Sequence, residues 1–132
     1  MFFWLPKNPN VAKMLVPWFV PADKSVKEIF IELFLRLSCR PEDTFVCIAV
    51  ENDRIKGVVV AYCRDVDVWV WQMRFDGVTR RTANRIFDGL CHWARGKGFD
   101  KIAAEPSRSV GAWERRWGAK QQSNSKELVK EI

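Results

Sequence analysis

The chain has 132 residues, enough for one hydrophobic core, and no shift of composition marks a linker or a second unit. With 48% hydrophobic and 29% charged residues, and with seven Trp and nine Phe, its make-up is that of a folded globular protein and excludes an intrinsically disordered one. A formal charge of +6 favours an anionic partner without choosing among a phosphate-bearing cofactor, a nucleic acid and an acidic protein.

The stretch from Met1 to Val20 is apolar, but Pro6, Pro9 and Pro17 interrupt it and Lys7 and Lys13 lie inside it, so it does not read as a secretory signal. Nothing else approaches the roughly 20 apolar residues that span a bilayer, and a soluble, cytoplasmic protein is expected. Phe2 to Leu5 reads as a short first strand, and Val11 to Val20 as a brief helix that Pro17 ends or kinks. Ser25-Val26-Lys27-Glu28 has the form of a capping box, which predicts a helix start there. Val26, Ile29, Phe30, Leu33, Phe34 and Leu37 then give that helix one apolar face, ending before Pro41.

Phe45 to Glu51 and Ile55 to Arg64 are rich in β-branched residues, and Asn52-Asp53 between them supplies turn chemistry, which predicts an antiparallel hairpin. Asp67 to Phe75 is a third run. Strict alternation places Asp67, Trp69, Trp71, Met73 and Phe75 on one face and Val68, Val70, Gln72 and Arg74 on the other, both largely apolar, as in a central strand. After Asp76-Gly77 a helical period sets in. Ala83, Ile86, Phe87, Leu90, Trp93 and Ala94 form a core stripe, and Arg81, Arg85, Asp88, His92 and Arg95 an opposite polar one, with Gly96 and Gly98 at the end. A short strand over Phe99 to Glu105, a helix over Ser107 to Trp117 and a last strand beyond Gly118 complete the order. Such an order implies a mixed sheet with helices on both faces.

Cys39, Cys47, Cys63 and Cys91 lack C-x-x-C spacing and lie in or beside apolar runs, so buried reduced thiols are expected. With His92 the only histidine, no metal site is expected.

Three stretches resemble the Gcn5-related N-acetyltransferases (GNAT). The hairpin from Phe45 to Val58 is similar to that family's second and third strands. Arg80 to Asp100 is similar to its long helix and the glycine-flanked turn that follows. Trp113-Glu114-Arg115-Arg116-Trp117-Gly118-Ala119 is similar to its closing aromatic-to-glycine helix. The likeness is clearest over residues 25–119 of a single domain, 1–132. It implies an α/β fold with a mixed, largely antiparallel and splayed sheet, helices on both faces, and acetyl-CoA held between the central strand and the long helix. The pyrophosphate would lie on the amides that open that helix, where unpaired N–H groups and the helix dipole favour an anion.

The residues implied in cofactor binding are Phe75, Val78, Arg80, Arg81, Thr82 and Ala83. Of the family's glycine-bearing phosphate pattern only Ala83 is kept in Val78-Thr79-Arg80-Arg81-Thr82-Ala83. Arg81 stands where a glycine would admit close backbone approach. Arg80 and Arg81 either grip phosphate through their guanidinium groups or simply form a solvated basic helix start.

Glu114 takes the place of the family's tyrosine acid, and Glu105 is the candidate base for the amine, with Asp67 and Asp76 as alternatives. His92 reads as a surface residue. Trp69, Trp71, Trp113 and Trp117 read as core, or else as the lining of an acceptor groove. Arg108, Arg115 and Arg116 beside Trp113 have the residue types of a nucleic-acid surface, but no recognised motif frames them. The activity implied is acetyl transfer from acetyl-CoA to a primary amine. The alternative is a lapsed enzyme that kept the fold as a binding or structural protein with a protein partner, such as a viral particle component or a host-factor binder.

Overall fold

Asn52 and Asp53 both adopt positive φ, 52° and 61°, the pair of conformations that a two-residue type I′ hairpin turn requires. Around this turn the computed structural model, which describes residues 1–21, 24–105, 118–121 and 127–132, builds a seven-stranded sheet. Strands β1 (Phe2–Trp4), β2 (Thr44–Glu51), β3 (Arg54–Cys63) and β4 (Val68–Phe75) follow one another antiparallel. Strand β5 (Lys101–Ala104) joins β4 in parallel, and β7 (Leu128–Glu131) lies between β5 and β6 (Lys120–Gln121). The expected mixed, largely antiparallel sheet is therefore present, with one parallel junction. Where a single closing strand was expected beyond Gly118, there are two.

Helix α1 (Val11–Met14) and a 3-10 turn over Val16–Trp18 share the segment predicted as one helix. Pro17 occupies the first turn of that 3-10 piece, where its missing N–H is tolerated. Helix α2 (Val26–Cys39) opens on the predicted box: Ser25 Oγ accepts from the Glu28 amide at 3.2 Å, and Glu28 Oε1 accepts from the Ser25 amide at 3.1 Å. Ile29, Leu33 and Leu37 of its stripe are buried, whereas Phe34 stands at the rim and meets Phe30 edge to edge of the cluster. Helix α3 (Arg80–Gly96) crosses over between β4 and β5 and buries Ala83, Ile86, Phe87, Leu90, Cys91 and Ala94. The helix predicted over Ser107 to Trp117 lies outside the described residues.

The sheet thus has two apolar faces. One, of Phe45, Cys47, Ala49, Val59, Ala61, Val68 and Val70, packs on α3; the other, of Val46, Ile48, Val58 and Val60, packs on α1 and α2. The thiols follow this division unevenly. Cys47 and Cys91 are buried on the α3 side and Cys63 is half-buried, but Cys39, at the last residue of α2, is exposed, contrary to expectation. Among the described residues no helix is long and apolar enough to cross a membrane.

Candidate functional site

Strand β4 is covered along its whole length by β3 but on its other side by β5 at only three positions, Val68, Trp69 and Val70. Beyond Val70 and its partner Ala104 that side of β4 has no strand beside it among the described residues. Asp76 N–H donates to Lys56 O at 2.7 Å, and antiparallel alternation from that bond turns the backbone groups of Met73 and Phe75 away from β3, toward the opening. An open strand edge of this kind is a ready partner for an extended ligand.

At the point where the strands part, the register of β4 slips. Val60 faces Gln72 while Ala61 faces Val70, so Trp71 is an extra, bulged residue. The bulge overturns the strict alternation read from the sequence. Val68 and Val70 lie on the α3 face, and past Trp71 it is Met73 and Phe75 that join them there. Trp71 packs on the α2 side, as do Gln72, which exchanges two hydrogen bonds with the Val20 backbone, and Arg74, which donates to Pro17 O. A run apolar on both faces contains nothing from which one inserted residue can be read.

The opening leads into the first turn of α3. Phe75 is half-buried and lies across Gly57, where a Cβ would stand 2.5 Å from its ring. Val78 is half-buried as well. Thr79 is the N-cap: its hydroxyl accepts from the Thr82 amide at 3.1 Å and meets the Thr82 hydroxyl at 3.1 Å, while the amide of buried Ala83 bonds to Thr79 O. Helix geometry leaves the amides of Arg80 and Arg81 without intrahelical acceptors. Both side chains are exposed, and neither guanidinium has a partner among the described residues. The six predicted cofactor residues are thus brought together at one end of the opening, with Thr82's amide already taken by the cap.

Glu105 directly follows Ala104, the last residue of β5 paired to β4, and is exposed at the mouth of the opening. Glu114 lies outside the described residues, as do Arg108, Trp113, Arg115, Arg116 and Trp117. Asp67 is not available as a base. It is buried, and both its oxygens accept from Arg64 at 2.7 Å. Those bonds, with that from Glu127 and against the opposing effect of burial, push the Arg64 pKa above its ordinary value. Asp76 is exposed at the end of β4, and His92 is exposed on α3, as expected.

A second group of polar residues was not singled out in the sequence. Arg36 of α2 lies over the Tyr62 ring, 3.5 Å from its centre, and Tyr62 meets Trp71 edge-on at 5.9 Å. Burial raises the Tyr62 pKa, an effect that Arg36 and Arg64 oppose and Glu32 reinforces. On the same face Arg64 lies over Trp69, 4.3 Å from the ring centre. The two tryptophans therefore belong to a polar and aromatic surface as much as to the core. Their sequence signal is slight: Glu32 and Arg36 at i,i+4 look like an ordinary surface pair.

No family model matches the sequence, and none of the curated proteins matches it either. Solved structures do. A GNAT-family protein from Desulfovibrio desulfuricans superposes with a TM-score of 0.72 at 13% identity, over 98% of each chain. A predicted acetyltransferase from Clostridium acetobutylicum, solved with acetyl-CoA, gives 0.71 at 14% identity over 94% of this chain and 92% of that one. The fold is that of the Gcn5-related N-acetyltransferases. Against a longer acetyltransferase-type chain from Pyrococcus horikoshii the TM-score is 0.68 at 14% identity, with 92% of this GNAT-fold chain matched to 43% of the other.

Proposed function

We propose that the protein is an acetyl-CoA-dependent N-acetyltransferase acting on a primary amine. The observation that carries this reading is the open edge of β4, from the bulge at Trp71 to Phe75, running into a helix start with two uncommitted amides and two unpartnered guanidinium groups. Such an arrangement suits a donor with an extended, amide-bearing arm and a pyrophosphate. The Clostridium neighbour, solved with acetyl-CoA, supports the choice of donor.

In this reading the backbone of Met73 and Phe75 pairs with the arm as a neighbouring strand would. Val78 and Ala83 pack beneath it. Arg80 and Arg81 take the phosphates through forked, charge-assisted bonds, and these replace the close backbone approach that a glycine at position 81 would permit. Bound there, acetyl-CoA supplies an activated thioester carbonyl. Glu105, at the mouth, removes the proton that the acceptor nitrogen must shed as it becomes an amide. The role of acid to the departing thiolate falls to Glu114 by the family likeness. Catalysis then rests chiefly on placement of the two reactants, which supplies large effective molarities without covalent machinery.

Calorimetric titration with acetyl-CoA tests the assignment. The wild-type chain is expected to bind, and Arg80→Ala with Arg81→Ala to bind at least about tenfold more weakly at an unchanged Tm, given the strength of charge-assisted bonds. Equal affinity in the double variant would sink the phosphate assignment. Arg81 itself favours a second reading, a binding protein that kept the fold and lost the reaction, because a long side chain occupies the family's glycine position. Absence of binding at millimolar acetyl-CoA would select that reading.

A further inference from the structure

On the α2 side of the sheet an unbroken line of contacts runs from the surface to the bulge. Lys24 Nζ lies 2.9 Å from Glu32 Oε2, and Glu32 Oε1 accepts from Arg36 at 3.4 Å. The Arg36 guanidinium covers the Tyr62 ring, and Tyr62 abuts Trp71, the extra residue at which β4 leaves β5. This line is imperfectly satisfied as it stands. Arg36 Nε is buried without a hydrogen-bond partner, a cost that a purely structural cluster is expected to avoid. The Lys24 side chain, 44% exposed, is the loosest member, while Glu32 and Arg36 are about a quarter exposed.

A carboxylate beside an aromatic ring is the chemistry that recognises an ammonium. Here its occupant is a primary ammonium on a four-carbon stem, supplied by the chain itself. The position fits an acceptor as well. The donor, on the reading above, enters along the open edge of β4 and the start of α3, which leaves the α2 side of the bulge as the remaining approach. Gln72 holds the Val20 backbone with bonds of 2.7 and 3.3 Å, which anchors the segment leading to Lys24 directly over that approach.

We propose that Glu32 is the seat for a primary alkylammonium acceptor and that Lys24 occupies it as an internal competitor, which the acceptor displaces. The exchange replaces one ammonium by another, so the charge on Glu32 and Arg36 stays balanced and no ion is left stranded. Tyr62 and Trp71 then form the wall along which the acceptor's hydrocarbon portion lies between Glu32 and the bulge. This inference rests on the acetyltransferase reading, and the two are separable by experiment.

Binding of 1,4-diaminobutane and of n-butylamine is measured by calorimetry on the wild-type chain, Lys24→Met and Glu32→Gln. Acetyl-CoA affinity and Tm are measured on the same samples, and amine turnover is followed by release of the coenzyme A thiol. Lys24→Met is expected to bind the amines, and to lower their KM, by about threefold to tenfold through removal of the competitor, with kcat little changed. Glu32→Gln, which keeps the shape and removes the charge, is expected to weaken both by roughly tenfold or more. Amine affinity unmoved by Glu32→Gln, weakened by Lys24→Met, or undetectable in both wild type and Lys24→Met overturns the proposal. Failure of acetyl-CoA to bind would instead overturn the acetyltransferase reading, whatever the amines do.

Discussion

The two faces of strand β4 are built from different materials. Toward α3 the sheet offers hydrocarbon and thiols, Val68 and Val70 among Leu90, Cys91 and Ala94, with hardly a polar atom between them. Toward α2 the same strand presents two indole rings, a buried glutamine amide and an arginine, and its neighbours add a tyrosine, two stacked guanidinium groups and a carboxylate. One inserted residue separates these regimes, since the bulge at Trp71 turns Gln72 and Arg74 to the second face and Met73 and Phe75 to the first. The first face has the composition of a core whose stability is area and packing. The second tolerates polar groups at a cost, and such tolerance is what a functional surface requires.

That contrast breaks down if the polar face contributes nothing to stability. Leu90→Ala, at a fully buried position under the α3 face, is expected to cost about 3 kcal/mol through lost transfer energy and the cavity left behind. Asp67→Ala is expected to cost nearly as much, about 2–3 kcal/mol, because it strips a buried bidentate partner from Arg64 while leaving the charge in place. The bond from Glu127 and the partial exposure of Arg64 keep the figure below that of a fully buried pair. Urea denaturation of both variants measures this. A loss below about 0.5 kcal/mol in Asp67→Ala, the usual size for a surface pair, would mean that the aromatic and charged face is only loosely held.

The thiol face makes its own prediction, at alkaline pH. Burial pushes the Cys47 pKa from 9.0 up to about 11, so the folded chain holds this proton more tightly than the unfolded chain. The contribution is fully present below pH 9 and is lost as the pH rises from about 9 to about 11, with an upper bound of about 2–3 kcal/mol. Cys91 and Cys63 are raised in the same sense by burial. Stability measured against pH should therefore fall across this window and fall less in Cys47→Ala. Alkylation mapped by mass spectrometry should reach exposed Cys39 before Cys47 and Cys91.

Most of the framework was legible because local chemistry and global fold agree there. Asn52-Asp53 named the hairpin, Ser25 and Glu28 named the start of α2, and the stripe from Ala83 to Ala94 named the buried side of α3. The cofactor end of the site was legible for the same reason, since Thr79 to Ala83 had to open a helix directly after a strand. The bulge was not, because Val68 to Phe75 is apolar on both sides and an insertion leaves no break in such a pattern. Nor was the line from Lys24 to Trp71, whose members lie on three separate elements and acquire meaning only when α2 is laid across β3 and β4. Two strands replaced one at the C-terminal end because Lys120-Gln121 is too short to show any period.

The smallest effect separates the two helices by their caps. Ser25 and Thr79 do the same local work, each accepting from the amide three residues on, at 3.2 and 3.1 Å, and either change to Ala is expected to cost about 1 kcal/mol. Their consequences for binding differ. Ser25 opens a helix whose start faces no proposed donor site, so Ser25→Ala should leave acetyl-CoA affinity unchanged. Thr79→Ala removes the acceptor that now occupies the Thr82 amide, and it frees a third donor beside those of Arg80 and Arg81. Affinity for acetyl-CoA should then hold or rise by about twofold to threefold although the helix is less stable, since a helix start with more unpaired amides is a better anion site. Weaker binding in Thr79→Ala, with Ser25→Ala unaffected, would show that the order imposed by the cap on the first turn matters more to phosphate recognition than the number of amides it leaves open.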